Sequence, residues 1–140
     1  LLAYLIDRRG ALCTLSELQT VLFDLDKHPA DQLLRYDVVE FIGGNPYYLL
    51  HSIRKHNAEE ILRKIAAEKI LIGWSAAAFV FSPTLALVDL YSPEMNFLEL
   101  TDLSGLSLTD IQVLSHYNKF LSRFVPSTML RMASGRSLTR

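Results

Sequence analysis

Short apolar runs alternate along this chain with longer amphipathic stretches. The clearest run is DVVEFI at residues 37–42, which is rich in β-branched residues and is followed by two glycines. Residues 58–68 have charged side chains spaced along one helix face, and the apolar run ILI follows at residues 70–72. Parallel strands need a crossover connection, which a helix supplies. The pattern therefore predicts an α/β fold, a three-layer sandwich with a mainly parallel sheet.

The same criteria assign the remaining elements. Helices are expected at residues 1–9, 29–34, 47–55 and Ala76–Phe81, and further strands at 18–25 and 111–114. The 140 residues have the size of one domain. Because the chain begins with Leu1 rather than methionine, we expect it to be a fragment or a processed chain.

Composition excludes several classes of protein. The formal net charge of −1 gives no electrostatic footprint for nucleic acid or an anionic membrane. Cys13 is the only cysteine, so an intrachain disulfide is excluded and a reducing, cytoplasmic setting is expected. Residues 70–88 are the one long uncharged apolar stretch, but glycine, serine and proline interrupt it. The histidines are scattered, so neither a metal site nor a cofactor is expected.

One serine directly follows a predicted buried strand and begins a helix. The segment GWSAAA starts at Gly73, so Ser75 has a small residue two positions before it and Ala77 two positions after it. This spacing is typical of a nucleophile elbow, a sharp strand-to-helix turn that raises a serine hydroxyl above the sheet. A serine at this position also serves as an ordinary helix N-cap. Both interpretations stay open from the pattern alone.

Two further segments have polar or glycine residues at the ends of predicted strands. GGNPYYLL at residues 43–50 is a tight turn in which Asn45 is placed to cap a helix and Pro46 to begin it. Ligand sites form at the carboxyl ends of parallel strands, where glycines let backbone amides approach a ligand. SHYN at residues 115–118 places His116 just past the last predicted strand, although a lone histidine is more often a surface-loop residue.

Together, GGNPYYLL, GWSAAA and SHYN resemble, in the same order, the motifs of peptidase family S51. This family comprises peptidase E, an α-aspartyl dipeptidase, and the cyanophycinase-like serine hydrolases. The resemblance covers residues 37–118. It implies a fold of the class I glutamine amidotransferase-like, flavodoxin-like kind, without a cofactor, and we expect this chain to be incomplete at both ends of that fold.

The resemblance also implies roles for individual residues. Ser75 aligns with the nucleophile, His116 with the general base, and the backbone amides of Gly44 and Ala76 with the oxyanion hole. Asp89 is the first candidate for the acid that orients the histidine, and Glu94 is the second. Asn45 and Trp74 are expected to contact the substrate.

The implied function is hydrolysis of small peptides by a serine peptidase, with dipeptides that begin with aspartate as the candidate substrates. An alternative is a catalytically silent member that acts as an interaction protein. Ala77 stands where the family has glycine, and Ser115 where it has proline, and both replacements favour this alternative. A missing sheet edge would also expose strand surface and favour a homodimer. A third interpretation is an acyl hydrolase that uses the same elbow.

Overall fold

The computed structural model describes residues 5–6, 12–13 and 21–115, and two of its strands are parallel. Strand β3 (Val38–Phe41) pairs with β4 (Ile70–Gly73), and Val38 lies opposite Ile70. Helices α1 (Pro46–Lys55) and α2 (Glu59–Glu68) form the crossover between the two strands. This β-α-β unit confirms the predicted α/β fold with parallel strands.

The bounds of the two crossover helices follow from the local sequence. The Asn45 side chain accepts hydrogen bonds from the backbone N–H groups of Tyr47 and Tyr48, and Pro46 occupies the first helical position of α1. The predicted cap at Asn45 is therefore confirmed. Helix α2 ends at Glu68, and Lys69 then donates hydrogen bonds to two carbonyls of the segment before β3. This lysine ties the beginning of β4 to the beginning of β3.

The hydrophobic core lies between the crossover helices and the elements that follow them. Fully buried apolar residues recur at helical spacing on α1 and α2, and each contributes roughly 1.5–3 kcal/mol through burial. The largest fully buried members of this core are Tyr47, Leu50, Ile53, Leu62, Ile65, Leu85 and Leu106. Because α1 packs against α3 (Ala76–Phe81), burial of this core also positions the helix that follows β4.

An irregular segment at residues 103–108 lies against the far end of α3. The backbone N–H groups of Leu106 and Leu108 donate to the carbonyls of Val80 and Phe81, which are among the last carbonyls of the helix. Arg54 on α1 donates to the Asp102 and Ser104 carbonyls at 2.8 Å each. The segment is therefore held by its own backbone and by the partly buried side chain of Arg54.

The sequence analysis missed two helices near the candidate site. Helix α4 (Ala86–Tyr91) and a short 3₁₀ helix (Pro93–Met95) follow α3 and were not predicted. Residues 29–34, predicted to be helical, form a 3₁₀ helix at Ala30–Arg35. The predicted helix Ala76–Phe81 is confirmed with the same bounds.

Three predictions were wrong in the parts that the structure describes. Residues 21–25 of the predicted strand 18–25 lead into a turn in which the Asp24 carbonyl accepts from two following N–H groups. Residues 111–114 are irregular, and Ile111 is 63% exposed, so its apolar side chain does not mark a buried strand. In the predicted helix 1–9, Leu5–Ile6 instead form β1, which pairs antiparallel with β2 (Leu12–Cys13). The rest of 1–9 and residues 18–20 lie outside the described residues.

A search of the described residues for membrane-spanning helices finds none of sufficient length and apolar character.

Candidate active site

Ser75 lies at the turn between β4 and α3 in a strained backbone conformation. Its φ of 50° and ψ of −102° are rare for a residue other than glycine, and its side chain makes no capping hydrogen bond to α3. An N-cap serine normally has extended backbone angles and accepts a hydrogen bond from the first turn. The local geometry therefore differs from the helix-cap interpretation and has the sharp bend of an elbow.

The neighbours of Ser75 are small because the turn is crowded. A Cβ atom added to Gly73 would lie 2.5 Å from the Phe81 ring and 3.1 Å from the Cβ atom of Ala77. Ala77 is fully buried, so its methyl group is accommodated at the position where the family has glycine. The close approach of α3 to β4 therefore requires glycine at position 73 and tolerates alanine at position 77.

The glycine turn after β3 lies directly beside Ser75. A Cβ atom added to Gly43 would be 3.3 Å from the Ser75 Cβ atom, so the two turns are in contact. The Trp74 N–H donates to the Phe41 carbonyl at 3.0 Å and extends the ladder of β3 and β4 to this point. Gly44 has a φ of +151°, a conformation that residues with a side chain rarely adopt. Parallel pairing thus brings both turns to one edge of the sheet.

A cleft of about 220 Å³ opens beside these turns. Ser75 is partly buried and lines it, together with two residues aligned with the oxyanion hole, Gly44 and Ala76. As the first residue of α3, Ala76 has an N–H without an acceptor inside the helix. The other lining residues are Pro46, Phe79, Val88, Tyr91, Ser92, Met95, Leu114 and Ser115. The cleft therefore has a hydroxyl, backbone amides and an apolar wall.

The predicted base is one residue beyond the described part of the chain. Ser115 and Leu114 line the same cleft as Ser75, and residue 116 is the histidine. His116 itself lies outside the described residues, so its distance from Ser75 is untested. The segment at 103–108, anchored on the end of α3, leads the chain toward this cleft.

The two predicted substrate contacts have structural partners. Asn45 uses its side-chain oxygen to cap α1 and donates its amide N–H to the Met95 carbonyl at 2.8 Å. Trp74 is 59% exposed and donates its ring N–H to the Glu40 carboxylate. Neither is among the residues that line the cleft. Asn45 instead joins the glycine turn to the wall that carries Met95.

Asp89, the first candidate for the orienting acid, lies on α4 and is partly buried. The Tyr47 hydroxyl donates a 3.1 Å hydrogen bond to its Oδ1 atom. Burial of the Tyr47 ring, followed by this bond, raises the pKa of the tyrosine above its ordinary value, and the nearby Glu94 charge adds to the effect. Glu94, the second candidate, is exposed. Both acids therefore lie near the Tyr47 hydroxyl.

Sequence reasoning missed the wall of the cleft opposite the glycine turn. Val88 and Tyr91 come from α4, Met95 from the following 3₁₀ helix, and Phe79 from α3. The spacing of Leu87, Val88 and Tyr91 is that of a helix face and was available as a signal. Which of these residues would face the cleft depends on packing that the spacing does not encode.

Comparison with known proteins shows the family of this chain. The model of the family described as "Peptidase family S51" matches residues 8–135. This chain belongs to peptidase family S51. The resemblance inferred from three short motifs is thereby confirmed over nearly the whole chain.

Relatives of this S51 chain include two uncharacterized peptidases from Listeria. The one from Listeria monocytogenes is 31% identical over 107 residues, covering 76% of this chain and 52% of that protein. The one from Listeria innocua is 36% identical over 103 residues, covering 73% and 49%. Peptidase E of Shewanella oneidensis is 27% identical over 109 residues, covering 76% and 44%. The chain spans about half the length of these curated relatives.

A solved structure shows the same fold. A crystal structure of a Listeria monocytogenes protein assigned to peptidase E superimposes with a TM-score of 0.60 at 28% sequence identity. The match covers 81% of this S51 chain and 55% of the other chain. The β-α-β unit with its two contacting turns therefore lies within an α/β fold that this Listeria protein shares.

Proposed function

We propose that this S51 chain hydrolyses peptide bonds in small peptides, with Ser75 as the nucleophile of a covalent mechanism. The observation that carries the proposal is the backbone of Ser75, which has a φ of 50° and no capping bond at the edge of an open cleft. Strained backbone at an accessible polar residue is characteristic of functional sites. Family membership and the peptidase E relatives support the same reaction class.

In the proposed mechanism, His116 accepts the proton of the Ser75 hydroxyl as that oxygen attacks the substrate carbonyl. A serine hydroxyl is a weak nucleophile without such a base. The histidine then donates the proton to the departing amine, and an acyl-enzyme remains on Ser75. Water, activated by the same histidine, releases the acid product and restores the serine. The placement of Ser115 in the cleft supports this assignment, since His116 is the next residue.

The developing negative charge needs donors that are already in place. We assign this role to the backbone N–H groups of Gly44 and Ala76, which both line the cleft beside Ser75. Loss of one such donor costs about 3–4 kcal/mol of transition-state stabilisation in enzymes where it has been tested. Asp89, held by Tyr47, is our candidate for the acid that fixes the tautomer of His116.

Hydrolysis of a panel of dipeptides and tripeptides by the full chain tests the proposal. We expect Ser75→Ala and His116→Ala each to lower kcat/KM by about 10³-fold or more. Ser92→Ala is the matched control, because Ser92 lines the same cleft and has no assigned role. A folded wild-type protein without activity would support the silent-member alternative. Activity that survives Ser75→Ala would overturn the assignment of the nucleophile.

A further inference from the structure

We propose that Asn45 is a positioning residue for the oxyanion hole. Its side chain holds the backbone N–H of Gly44 in place by joining the start of α1 to the wall of the cleft that carries Met95. This inference rests on the proposed function, because it concerns the donor that the proposed function assigns to Gly44. It follows from the bonds of the Asn45 side chain and from the backbone on either side of the glycine turn.

The Asn45 side chain is bonded within the protein at both of its polar atoms. Its Oδ1 atom accepts from the backbone N–H groups of Tyr47 at 2.9 Å and Tyr48 at 3.0 Å, which uses both lone pairs of an amide oxygen. Its Nδ2 atom donates to the Met95 carbonyl at 2.8 Å. These three bonds fix the side chain and therefore also the backbone that carries it.

The backbone directly before Asn45 has little restraint of its own. Gly43 and Gly44 are adjacent, and glycine has more backbone freedom than any other residue type. Gly44 has a φ of +151°, a value that a residue with a side chain rarely adopts. A pair of glycines keeps one conformation only if the residues on either side of it are anchored.

Anchors lie on both sides of this glycine pair. Before it, the Phe41 carbonyl accepts from the Trp74 N–H at 3.0 Å, which fixes the chain to the end of β4 and to the turn of Ser75. After it, the side-chain bonds of Asn45 fix the chain to α1 and to the cleft wall. The direction of the Gly44 N–H depends on both anchors. An oxyanion donor is effective only when it is in place before the charge develops.

The bond to Met95 is separate from the capping of α1. An N-cap residue needs only a side-chain oxygen, which serine supplies as well as asparagine does. The Nδ2 bond instead joins the turn to the short 3₁₀ helix Pro93–Met95, and Gly44, Pro46 and Met95 all line the cleft. It therefore fixes the spacing between the glycine turn and this wall.

Asn45→Ser separates the two bonds, because serine keeps the cap but its side chain is too short to reach the Met95 carbonyl. Loss of one oxyanion donor costs about 10²–10³ in kcat, so a donor held less firmly should cost at least tenfold. In the full chain we expect kcat for dipeptide hydrolysis to fall at least tenfold and KM to change less than threefold. A tenfold rise in KM with unchanged kcat would assign Asn45 to substrate binding and overturn the inference.

A fluorophosphonate reports on the same donor without a peptide substrate. As the Ser75 oxygen bonds to phosphorus, fluoride leaves, the serine proton passes to the base, and the phosphoryl oxygen gains negative charge that the oxyanion hole stabilises. The labelling rate should therefore also fall at least tenfold in Asn45→Ser. Labelling at the wild-type rate would overturn the inference.

Asn96→Ser is the matched control for Asn45→Ser. Asn96 follows Met95, is partly buried, and also bonds at both polar atoms, accepting from the Leu100 N–H at 2.9 Å and donating to the Leu100 carbonyl at 3.0 Å. It is not one of the residues that line the cleft. Its replacement should leave kcat, KM and the labelling rate within twofold of wild type. Equal losses in the two variants would overturn the specific role of Asn45.

Nuclear magnetic resonance of the Gly44 amide gives a readout that needs no activity. In isotope-labelled protein, Asn45→Ser should lower the order parameter of the Gly44 N–H from about 0.85, typical of rigid backbone, toward the flexible range below about 0.6. Asn96→Ser should leave it unchanged. Such a loss of order, in a protein whose wild type neither hydrolyses peptides nor takes the label, would support the positioning of Gly44 by Asn45 and count against the proposed function. An unchanged Gly44 amide in Asn45→Ser would overturn the inference whatever the activity.

Discussion

The Tyr47 hydroxyl donates a 3.1 Å hydrogen bond to the Oδ1 atom of Asp89 and so joins two helices across the core. Tyr47 is completely buried on α1, whereas Asp89 lies on α4, which supplies part of the cleft wall. The bond connects the helix that follows the glycine turn to the helix opposite it. Any change at this pair is therefore expected to act on both stability and the candidate site.

Replacing Tyr47 with phenylalanine should destabilise the fold by roughly 1–3 kcal/mol, because a hydrogen bond to a partly buried carboxylate is lost. Urea denaturation at neutral pH measures this change. Tyr48→Phe is the matched control, since its hydroxyl donates to Asp26 at an exposed position and its removal should cost less than about 0.5 kcal/mol. Equal effects of the two variants would contradict the account of Tyr47.

Stability should also fall at alkaline pH because of Tyr47. Its folded-state pKa is raised, so the folded state keeps the phenolic proton more tightly than the unfolded state. The contribution is fully present below about pH 10, the unfolded value, and is lost as the pH rises toward the folded value. Denaturation of wild type and Tyr47→Phe at pH 9 and pH 11 isolates it. A wild-type advantage that did not shrink at pH 11 would contradict this assignment.

Asp26 should contribute stability with the opposite pH dependence. Hydrogen bonds from His56, then Lys55 and Tyr48, lower the pKa of Asp26 to about 2. Its contribution is therefore complete above about pH 4, the unfolded value, and disappears as the pH falls toward 2. The advantage of wild type over Asp26→Asn in urea should shrink between pH 5 and pH 2.

Salt provides a control for the Asp26 prediction. Because the cluster is solvent-exposed, 1 M NaCl should reduce the difference between wild type and Asp26→Asn at pH 5. Tyr48→Phe removes a weaker hydrogen-bond donor to Asp26. Its stability difference from wild type should therefore also fall in 1 M NaCl, but by a smaller amount. A difference that grew as the pH fell would contradict the role given to Asp26.

Gly105→Ala should be among the most destabilising single substitutions in the described part of the chain. A Cβ atom at this position would lie 2.0 Å from the Ser82 carbonyl oxygen, and backbone cannot move aside as a side chain can. We expect a loss of about 3 kcal/mol or more, since the segment at 103–108 would have to leave the end of α3. The change is measured as the shift in the urea midpoint.

Ser104→Ala is the matched control for Gly105→Ala. Ser104 is the exposed neighbour of Gly105; its carbonyl accepts from Arg54, and its hydroxyl bonds to the exposed Asp102 carboxylate. Its replacement should change stability by less than about 0.5 kcal/mol. Comparable losses in the two variants would show that the segment is generally fragile and would contradict the steric argument for Gly105.

Local sequence patterns predicted those helices and strands whose local preference agrees with the packing around them. The β-branched run before Gly43, the cap at Asn45 and the periodicity of α2 each predicted the element that forms there. The apolar residues at 111–114 gave a strand signal, but they pair with no strand among the described residues, so that prediction was wrong. Pairing depends on distant parts of the chain, which a local pattern does not contain.

The sharp turn at Ser75 was predictable from the sequence, but the surroundings of the candidate site were not. The spacing around Ser75 predicted an elbow, and the small neighbours it required are explained by the Phe81 ring and the Ala77 methyl group. The hydrogen bond from Tyr47 to Asp89 and the apolar wall arise from side chains far apart in sequence. Only the packing of α1 against α3 and of α4 beside them brings these groups together.

The most direct test of the account is covalent labelling of the full chain by a fluorophosphonate, followed by mass spectrometry of the modified peptide. The account predicts one label, on Ser75, that is absent from Ser75→Ala and retained in Ser92→Ala and Ser115→Ala, whose serines line the same cleft. Folded protein that takes no label, or Ser75→Ala protein that is labelled as fast as wild type, would contradict Ser75 as an activated nucleophile.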